Sequence, residues 1–261
     1  MNSLLEKDQL KDFLEEKYKL YAKPKFIEDD PIQIPHRYSS KEDVEISGLL
    51  TATIAWGTRK MIIYNIDRLL SKFGESPYEF IVNYSEKDDY RFKGFVHRTF
   101  NENDCIQFIK VLNLIYTREG GLEKIFTNGY KKEATIKGAI AEFRHAFLIG
   151  GTPIHTLKHV ANVLEGSAAK RINMYLRWMI RPSTEGVDFG IWKTIPTSAL
   201  MMPLDTHSGR VARSLGLLIR NQNDWKAVNQ LTCTLIDFDW NDPVKYDFAL
   251  FGLGVYENFG L

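Results

Sequence analysis

Three features of the sequence predict an all-α fold. Apolar residues recur at three- and four-residue spacing through most of the 261 residues, as they do along one face of a helix. Serine, threonine or aspartate precedes many of these segments and glycine follows several, which is typical of helix boundaries. No segment reads convincingly as a strand. With 44% hydrophobic residues, the chain can bury a full core in one domain or in two closely packed lobes.

The N-terminal part begins with an amphipathic pattern. Apolar residues among many acids and lysines predict a surface helix from Leu4 to Tyr18. The next stretch, Tyr21 to Tyr38, contains three prolines. Because proline interrupts a helix, this stretch is expected to be extended.

Further helices are predicted from residue 40 onward. Ser40 and Thr58 are the expected N-caps of two helices that Gly57 separates, and Trp56 lies at their junction. Residues 76–103 are mixed and polar, and their aromatic side chains are expected in the core. Helical spacing then returns in three segments, at residues 104–116, 122–130 and 134–148.

Two more helices are expected after residue 220. Asn223 or Asp224 is the expected N-cap of the first. The second is expected to start at Asp242-Pro243, and its apolar residues are expected in the core.

Two histidines raise the question of a metal site. His155 and His159 are four residues apart and would share one helix face, a geometry that can bind zinc. No third ligand stands at a suitable spacing, so the segment is predicted to be a helix that leads into the next motif. Cys105 and Cys233, the only cysteines, cannot supply a four-cysteine iron–sulfur cluster. Neither a metal nor another cofactor is expected.

The segment Leu164-Glu-Gly-Ser-Ala-Ala-Lys170 has the composition of a tight turn before a helix. Gly166 and the small residues Ser167 and Ala168 would let backbone N–H groups approach a phosphate closely at a helix N-terminus. The carboxylate of Glu165 works against such an approach, because it repels a phosphate. A turn whose backbone contacts a phosphate is the predicted role.

A second motif lies between Pro203 and Gly216. Asp205 or Thr206 is the expected N-cap of its helix, because either side chain can accept a backbone N–H. A carboxylate would then stand at the positive end of a helix dipole, with His207 and Arg210 close by.

These two motifs together resemble the helix-hairpin-helix DNA glycosylases, the superfamily of endonuclease III and the oxoguanine glycosylases. That family carries Val-Asp-Thr-His leading into Arg-Val, to which Leu204-Asp-Thr-His followed by Arg210-Val is similar. Its hairpin reads Leu-Pro-Gly-Val-Gly-Arg-Lys; here Glu165 replaces the proline and Ala168 the second glycine. The interval between the motifs is longer by about one short insert, expected as a loop at residues 182–196. The whole chain also resembles a bacterial family of unknown function.

The resemblance implies two helical lobes with a DNA-binding cleft. Residues 44–185 would form a central lobe that includes the hairpin, and residues 1–43 plus 186–261 a second lobe with the aspartate helix. Lys170 falls on the position of the catalytic nucleophile and Asp205 on that of the catalytic aspartate. In the glycosylases, a residue at the junction of two early helices fills the hole left by an extruded base. Trp56 lies near that junction and is a candidate for such a wedge between bases. A core tryptophan is the other interpretation. The expected DNA contacts are Gly166, Ser167, Ala168, Arg171, His207, Arg210, Trp56 and Arg59.

The pair of residues suits the chemistry. Cleavage of an N-glycosidic bond builds positive charge on the sugar, which a carboxylate such as Asp205 stabilises. A lysine amine can attack the anomeric carbon and form a Schiff base, from which β-elimination cuts the strand. The helix N-terminus disfavours the charged form of Lys170 and favours an ionised Asp205. In the alternative interpretation neither residue is catalytic: Lys170 only binds phosphate and Asp205 only caps its helix.

The charge distribution bears on the partner. The net charge of +1 is low for a protein that binds nucleic acid through phosphates. Residues 157–181 nevertheless contain five lysines and arginines against one acid, and residues 207–220 contain three arginines and no acid. Double-stranded DNA with a damaged base is therefore the predicted partner, and an ordinary solvated face is the alternative.

The predicted function is a DNA base-excision repair glycosylase with AP-lyase activity through Lys170. The alternatives are a non-catalytic helical DNA-binding protein that keeps the glycosylase fold, and a helical protein with no nucleic-acid role. No apolar run approaches the ~20 residues that span a membrane. The N-terminus, charged from Glu6 onward, lacks a signal-peptide core. A monomer in the cytoplasm is expected. The sequence does not name the damaged base.

Overall fold

The computed structural model describes residues 6–260, and most of them are α-helical. The predicted all-α class is confirmed. The helices are α1 (Lys7–Tyr21), α2 (Lys25–Asp29), α3 (Lys41–Thr53), α4 (Arg59–Leu70), α5 (Pro77–Asn83), α6 (Glu102–Leu114), α7 (Leu122–Glu133), α8 (Ile136–Ile149), α9 (Ile154–Leu157), α10 (Lys170–Ile180), α11 (Thr206–Ser214), α12 (Trp225–Ile236) and α13 (Tyr246–Val255). No helix among the described residues is long and apolar enough to cross a membrane.

The predicted capping residues stand at the helix starts. Ser40 accepts a hydrogen bond from the Asp43 N–H at 3.2 Å before α3, and Thr58 accepts one from the Met61 N–H at 3.4 Å before α4. Asp205 caps α11 and Asp224 caps α12. The side-chain oxygen of each cap satisfies an N–H that has no partner within the helix, so local sequence sets these boundaries.

The proline-rich stretch differs from its prediction. Instead of being extended, it contains the short helix α2 and two 3₁₀ turns, Pro31–Gln33 and Pro35–Arg37. Each of these turns begins at a proline, where the missing N–H needs no partner and the fixed φ suits a helical turn. Leu4 and Leu5, which the pattern assigns to the first helix, lie outside the described residues.

A two-stranded antiparallel hairpin corrects the expectation of no strands. Strand β1 (Val96–His97) pairs with β2 (Phe100–Asn101) inside the mixed polar stretch. Arg98 in its turn has φ of 54°, in the left-handed region. Two residues per strand are too few to show the alternation by which a strand is recognised in a sequence.

The chain divides into two compact units. One is Asp29–Asn162, in which α7 and α8 pack so closely that a Cβ on Gly129 would lie 2.4 Å from the Gly138 carbonyl oxygen. The other joins the chain up to Glu28 to the chain from Val163 onward, and in it α13 packs against both α1 and α11. This second unit contains both the hairpin segment and the aspartate helix, whereas the predicted boundaries placed these motifs in different lobes.

Candidate active site

Helix α10 begins at Lys170, directly after the hairpin segment. Gly166 has φ of +90° and Ala169 has φ of 49°, so the chain turns twice through the left-handed region before the helix starts. The Ala169 N–H donates to Ser167 Oγ at 3.2 Å, and the buried Asn173 side chain donates to the Ala168 carbonyl at 3.2 Å. These bonds place Lys170 at the first position of the helix.

Asp205 forms a complete N-terminal cap. Its Oδ1 accepts hydrogen bonds from the His207 N–H at 2.8 Å, the Ser208 N–H at 3.0 Å and the Ser208 hydroxyl at 3.2 Å. The Asp205 N–H in turn donates to Ser208 Oγ at 2.9 Å. One oxygen of the carboxylate thus does all of the capping.

The other oxygen faces the lysine. Lys170 Nζ lies 3.7 Å from Asp205 Oδ2, and the two side chains are 29% and 26% exposed. Nζ also lies 3.8 Å from Met174 Sδ, one helical turn along α10. The two predicted catalytic residues therefore come together at a position that is partly shielded yet open to solvent. The capping and catalytic interpretations of Asp205 no longer compete, since each uses a different oxygen.

The segment at residues 220–225 forms hydrogen bonds to both motifs. The Trp225 N–H donates to the Gly166 carbonyl at 2.9 Å, and Ser167 and Asp224 form an antiparallel bridge. The Asn223 side chain donates to the Asp205 carbonyl at 2.9 Å. The sequence indicated only a helix cap here, because contacts between distant segments leave no local pattern.

A buried carboxylate on α13 belongs to the same unit as the lysine and aspartate pair. Asp247, on α13, is 7% exposed and pairs with Arg177 on α10. Burial raises the pKa of Asp247 to about 6, although the positive charges of Arg177 and Lys170 oppose this rise; the negative charge of Asp205 adds to it. Sequence reasoning assigned this helix to the core alone, so Asp247 was missed.

Buried arginines reduce the basic surface that the sequence predicted. Arg177 Nε lies 3.2 Å from Asp188 Oδ1, and Arg181 pairs with Asp188 at 3.1 Å and with Asp242 at 2.8 Å. Both arginines are nearly inaccessible. They neutralise acids inside the protein. The positive charge that residues 157–181 present at the surface is therefore smaller than their count of lysines and arginines suggests.

Two further arginines, Arg213 in the last turn of α11 and Arg220 after it, form hydrogen bonds within or to the 220–225 segment. Arg213 donates to the Asn223 side chain at 2.6 Å and to the Arg220 carbonyl at 2.8 Å. Arg220 donates to Asp224 at 2.7 Å. Of the three arginines counted in this region, Arg210 is half-buried and donates to the Gly254 carbonyl at 3.3 Å.

The remaining predicted DNA contacts of this unit lie around the two motifs. Gly166, Ser167 and Ala168 are half-buried, and His207 is exposed in the first turn of α11. Arg171 is half-buried next to Lys170, and burial lowers its pKa to about 10.

Trp56 and Arg59 belong to the other unit. Trp56 is half-buried, stacks on His159 at 5.7 Å between ring centroids, and meets the edge of His97 at 5.1 Å. Arg59 is half-buried at the start of α4. The Trp56 side chain therefore packs against two imidazole rings. Trp56 itself is neither enclosed in the core nor fully exposed.

The histidine segment is shorter than predicted. Helix α9 ends at Leu157, so His155 and His159 do not share a helix face. Both instead approach Asp104, with Nε2 at 3.9 Å and 3.5 Å from its carboxylate oxygens. Within residues 6–260, no group of three or more histidine, cysteine or acidic side chains has an arrangement that could hold a metal ion.

No curated protein and no solved structure matches the chain. One family model, described as a protein of unknown function (DUF2400), matches residues 30–256. This range covers most of the sequence and includes Lys170, Asp205 and Asp247. The expected membership of an uncharacterised family is confirmed: the chain belongs to the DUF2400 family.

Proposed function

We propose that this protein is a DNA base-excision repair glycosylase with AP-lyase activity. The observation that carries the proposal is the placement of Lys170 Nζ 3.7 Å from Asp205 Oδ2, while Asp205 Oδ1 is occupied as a helix cap. The resemblance of both motifs to the helix-hairpin-helix glycosylases supports the same assignment. A DNA-binding cleft of that family's kind belongs to the proposal.

The two residues have complementary roles in the proposed reaction. The amine of Lys170 attacks C1′ of the damaged nucleotide, the bond from C1′ to the base breaks, and a Schiff base forms. The free oxygen of Asp205 stabilises the positive charge that develops on the sugar. Because its cap fixes the carboxylate at the start of α11, Asp205 needs little reorganisation during the reaction.

The hairpin and the first turn of α11 are the proposed contacts to the DNA backbone. Gly166, Ser167 and Ala168 lie beside the start of α10, and His207 is exposed at the start of α11. Backbone N–H groups at helix N-termini attract phosphate. The partner is duplex DNA, and its affinity for the protein should fall with rising salt.

Borohydride trapping tests the proposal. The native protein is incubated with duplexes that carry an abasic site or a damaged base, in the presence of borohydride, which reduces a Schiff base to a stable covalent link. We expect trapping by the native protein and none by Lys170→Ala. Lys193→Ala, which removes an exposed lysine of the 182–196 loop, is the matched control and should still trap.

The outcomes separate the alternatives. Trapping that survives Lys170→Ala would move the nucleophile elsewhere and refute the assignment. Duplex binding without trapping on any substrate would leave a non-catalytic DNA-binding protein. Absence of both, at the lowest salt concentration, would leave a helical protein without a nucleic-acid role.

A further inference from the structure

The proposed reaction requires Asp205 to stay close to Lys170, although the two residues belong to different helices. We propose that Asn223 is a positioning residue, which holds the start of α11 so that Asp205 Oδ2 remains beside Lys170 Nζ. This inference rests on the proposed function. It assigns Asn223 a part in base release that is exerted through Asp205 and not on the substrate itself.

The backbone carbonyl of Asp205 accepts two hydrogen bonds. One comes from the Gly209 N–H at 2.9 Å, within the first turn of α11. The other comes from Asn223 Nδ2, also at 2.9 Å, from a segment outside that helix. A carbonyl oxygen has two lone pairs, so both of its acceptor positions are used. The side chain of Asn223 thus ties the backbone of Asp205 to the 220–225 segment.

Arg213 fixes the orientation of the Asn223 amide. Its Nη2 donates to Asn223 Oδ1 at 2.6 Å, and its Nε donates to the Arg220 carbonyl at 2.8 Å. A guanidinium group can only donate, so the amide oxygen faces Arg213 and the amide NH₂ faces the carbonyl of Asp205. Because Arg213 also belongs to α11, Asn223 is bonded to this helix at two points.

A glycine in α11 leaves room for the amide. A Cβ at Gly209 would lie 3.0 Å from Asn223 Oδ1, 3.3 Å from Asn223 Nδ2 and 2.9 Å from Arg213 Nη1. Glycine is a poorer helix former than alanine. The close approach of Asn223 to the backbone of α11 therefore depends on a residue that weakens the helix.

The two residues that follow Asn223 are joined to the hairpin by backbone groups. The Trp225 N–H donates to the Gly166 carbonyl at 2.9 Å, and Asp224 pairs with Ser167 in an antiparallel bridge. Three consecutive residues thus connect the start of α11 to the turn that precedes α10. Since the links to the hairpin use the backbone, replacement of the Asn223 side chain leaves them in place.

This division of bonds predicts that Asn223 affects one of the two proposed reactions. Base release needs the charge of Asp205 near the sugar. An abasic site already presents an aldehyde, so the amine of Lys170 is sufficient for Schiff-base formation there. Loss of the Asn223 bond frees Asp205, whereas the hairpin before Lys170 keeps its own links. Because Asn223 is exposed, its replacement should leave the protein folded.

The test compares the native protein with Asn223→Asp. Aspartate keeps the shape and the acceptor for Arg213, but at neutral pH it cannot donate to the carbonyl of Asp205. Single-turnover base release is measured on duplexes with one 8-oxoguanine, 3-methyladenine or uracil, and the base that the native protein releases fastest is chosen. Base release should slow by ~10-fold or more, since a misplacement of ~1 Å can cost ~100-fold in rate. Borohydride trapping on an abasic duplex should change by less than ~3-fold, because the amine keeps its position.

Gly209→Ala tests the same contact without a change of charge. The added Cβ displaces the Asn223 amide, so base release should slow as in Asn223→Asp. Alanine favours the helix, so the melting temperature should hold or rise. A purely structural role of Asn223 predicts slower base release only together with a lower melting temperature. Duplex affinity should stay at the native value, since no charge and no proposed DNA contact is altered.

Gln222→Ala is the matched control. Gln222 is exposed in the same segment and accepts from Arg220 at 2.9 Å. Its replacement removes a hydrogen bond within the segment and leaves both Asn223 and the hairpin links in place. Base release and abasic trapping should therefore both proceed at native rates.

A double-mutant cycle shows whether Asn223 acts through Asp205. In the Asp205→Asn background the carboxylate charge is already absent, so its position no longer matters. Asn223→Asp should then slow base release by less than ~2-fold, a strongly non-additive result of the kind that residues in contact give. Additive losses would overturn the inference, because Asn223 would then act independently of Asp205.

The remaining outcomes are also distinct. Native-rate base release by a folded Asn223→Asp, or equal slowing of base release and abasic trapping, would overturn the inference while the proposed function stands. A loss confined to duplex affinity would also overturn it, since Asn223 would then be a direct DNA contact. If Asn223→Asp does not fold, native-rate base release by Gly209→Ala would overturn it instead.

The native protein separates this inference from the function on which it rests. Native trapping without release of any of the three bases would leave the lyase part of the proposed function and overturn the inference. Absence of both reactions in the native protein would overturn the proposed function and this inference together.

Discussion

Two regions of the protein place a helix-capping aspartate opposite a basic side chain, with different consequences. In the capping box of α6, Asp104 accepts from the Asn101 N–H at 3.0 Å through Oδ2 and from the Thr156 hydroxyl at 2.7 Å through Oδ1. It is fully buried beside His159. Asp205 caps α11 with one oxygen and turns the other, partly exposed, toward Lys170.

The difference lies in how many acceptor positions the fold uses. Both oxygens of Asp104 are committed to donors from the protein, so this carboxylate connects α6 to the segment after α8. Asp205 leaves Oδ2 outside its cap, 3.7 Å from Lys170 Nζ. A capping aspartate is therefore a candidate for catalysis when its cap leaves an oxygen accessible, and a structural residue when it does not.

The largest expected effect comes from Asp205→Asn. Asparagine keeps the Oδ1 cap and caps about as well as aspartate, so the free energy of unfolding should change by about 1 kcal/mol or less. The charge facing Lys170 is lost, and electrostatic stabilisation of this kind is typically worth about 3–4 kcal/mol in the transition state. Single-turnover release of whichever damaged base the native protein removes fastest should therefore slow by ~100-fold or more.

Asp205→Ala provides the control for that experiment. It removes the cap as well as the charge, so its free energy of unfolding should be about 1 kcal/mol lower than that of Asp205→Asn. Thermal melting of the two variants measures this difference. If the asparagine variant releases the base at the native rate, Asp205 acts only as a helix cap. Its role would then not differ from that of Asp104.

An intermediate effect is expected at Asp104. Asparagine there replaces one of two accepting oxygens with an NH₂ group that faces a buried donor. The unfolding free energy should drop by about 2 kcal/mol, as for a buried group left without its partner. Urea unfolding of the Asp104→Asn and Asp205→Asn variants measures the change in the free energy of unfolding of each. Equal stability losses in the two variants would show that the accessible oxygen does not distinguish the two regions.

The smallest effect should come from Ala169→Gly. Ala169 has φ of 49° immediately before α10, a region that costs an L-residue about 1 kcal/mol or more. Glycine adopts it freely but loses more chain entropy on folding, so a net stabilisation of about 1 kcal/mol or less should raise the melting temperature slightly. A lower melting temperature would mean that the alanine methyl group contributes more by packing than it costs in backbone strain.

Local sequence was enough to predict most of the longer helices and the cap on α11, because a capping residue and its helix are adjacent in sequence. The choice of Lys170 and Asp205 as a catalytic pair is what the resemblance to the helix-hairpin-helix glycosylases implies, and the structure places the two side chains 3.7 Å apart. The prolines at residues 31 and 35 were misjudged, since proline starts a 3₁₀ turn as readily as it ends a helix.

Residues that act through distant contacts could not be predicted. Asn223 reaches the carbonyl of Asp205, and Asp247 pairs with Arg177, in each case across a long stretch of sequence. Asp247 stands in an apolar helix whose pattern indicates only burial. Arg177 and Arg181 were counted as surface charge because their spacing carries no sign of the acids that pair with them.

The loop at residues 182–196 has a consequence for how this protein can change over evolution. Through Asp188 it supplies the carboxylate that Arg177 and Arg181 share, and it returns along the end of α10, where the Trp192 N–H donates to the Met179 carbonyl at 2.9 Å. A relative that lost the loop would keep Asp247 beside Arg177 and Asp242 beside Arg181, but it would lack the carboxylate that the two buried arginines share. A change in the loop is therefore expected to go together with a change in one of the arginines, and a graft of α10 alone into another helical scaffold would carry Arg177 without either of its acids.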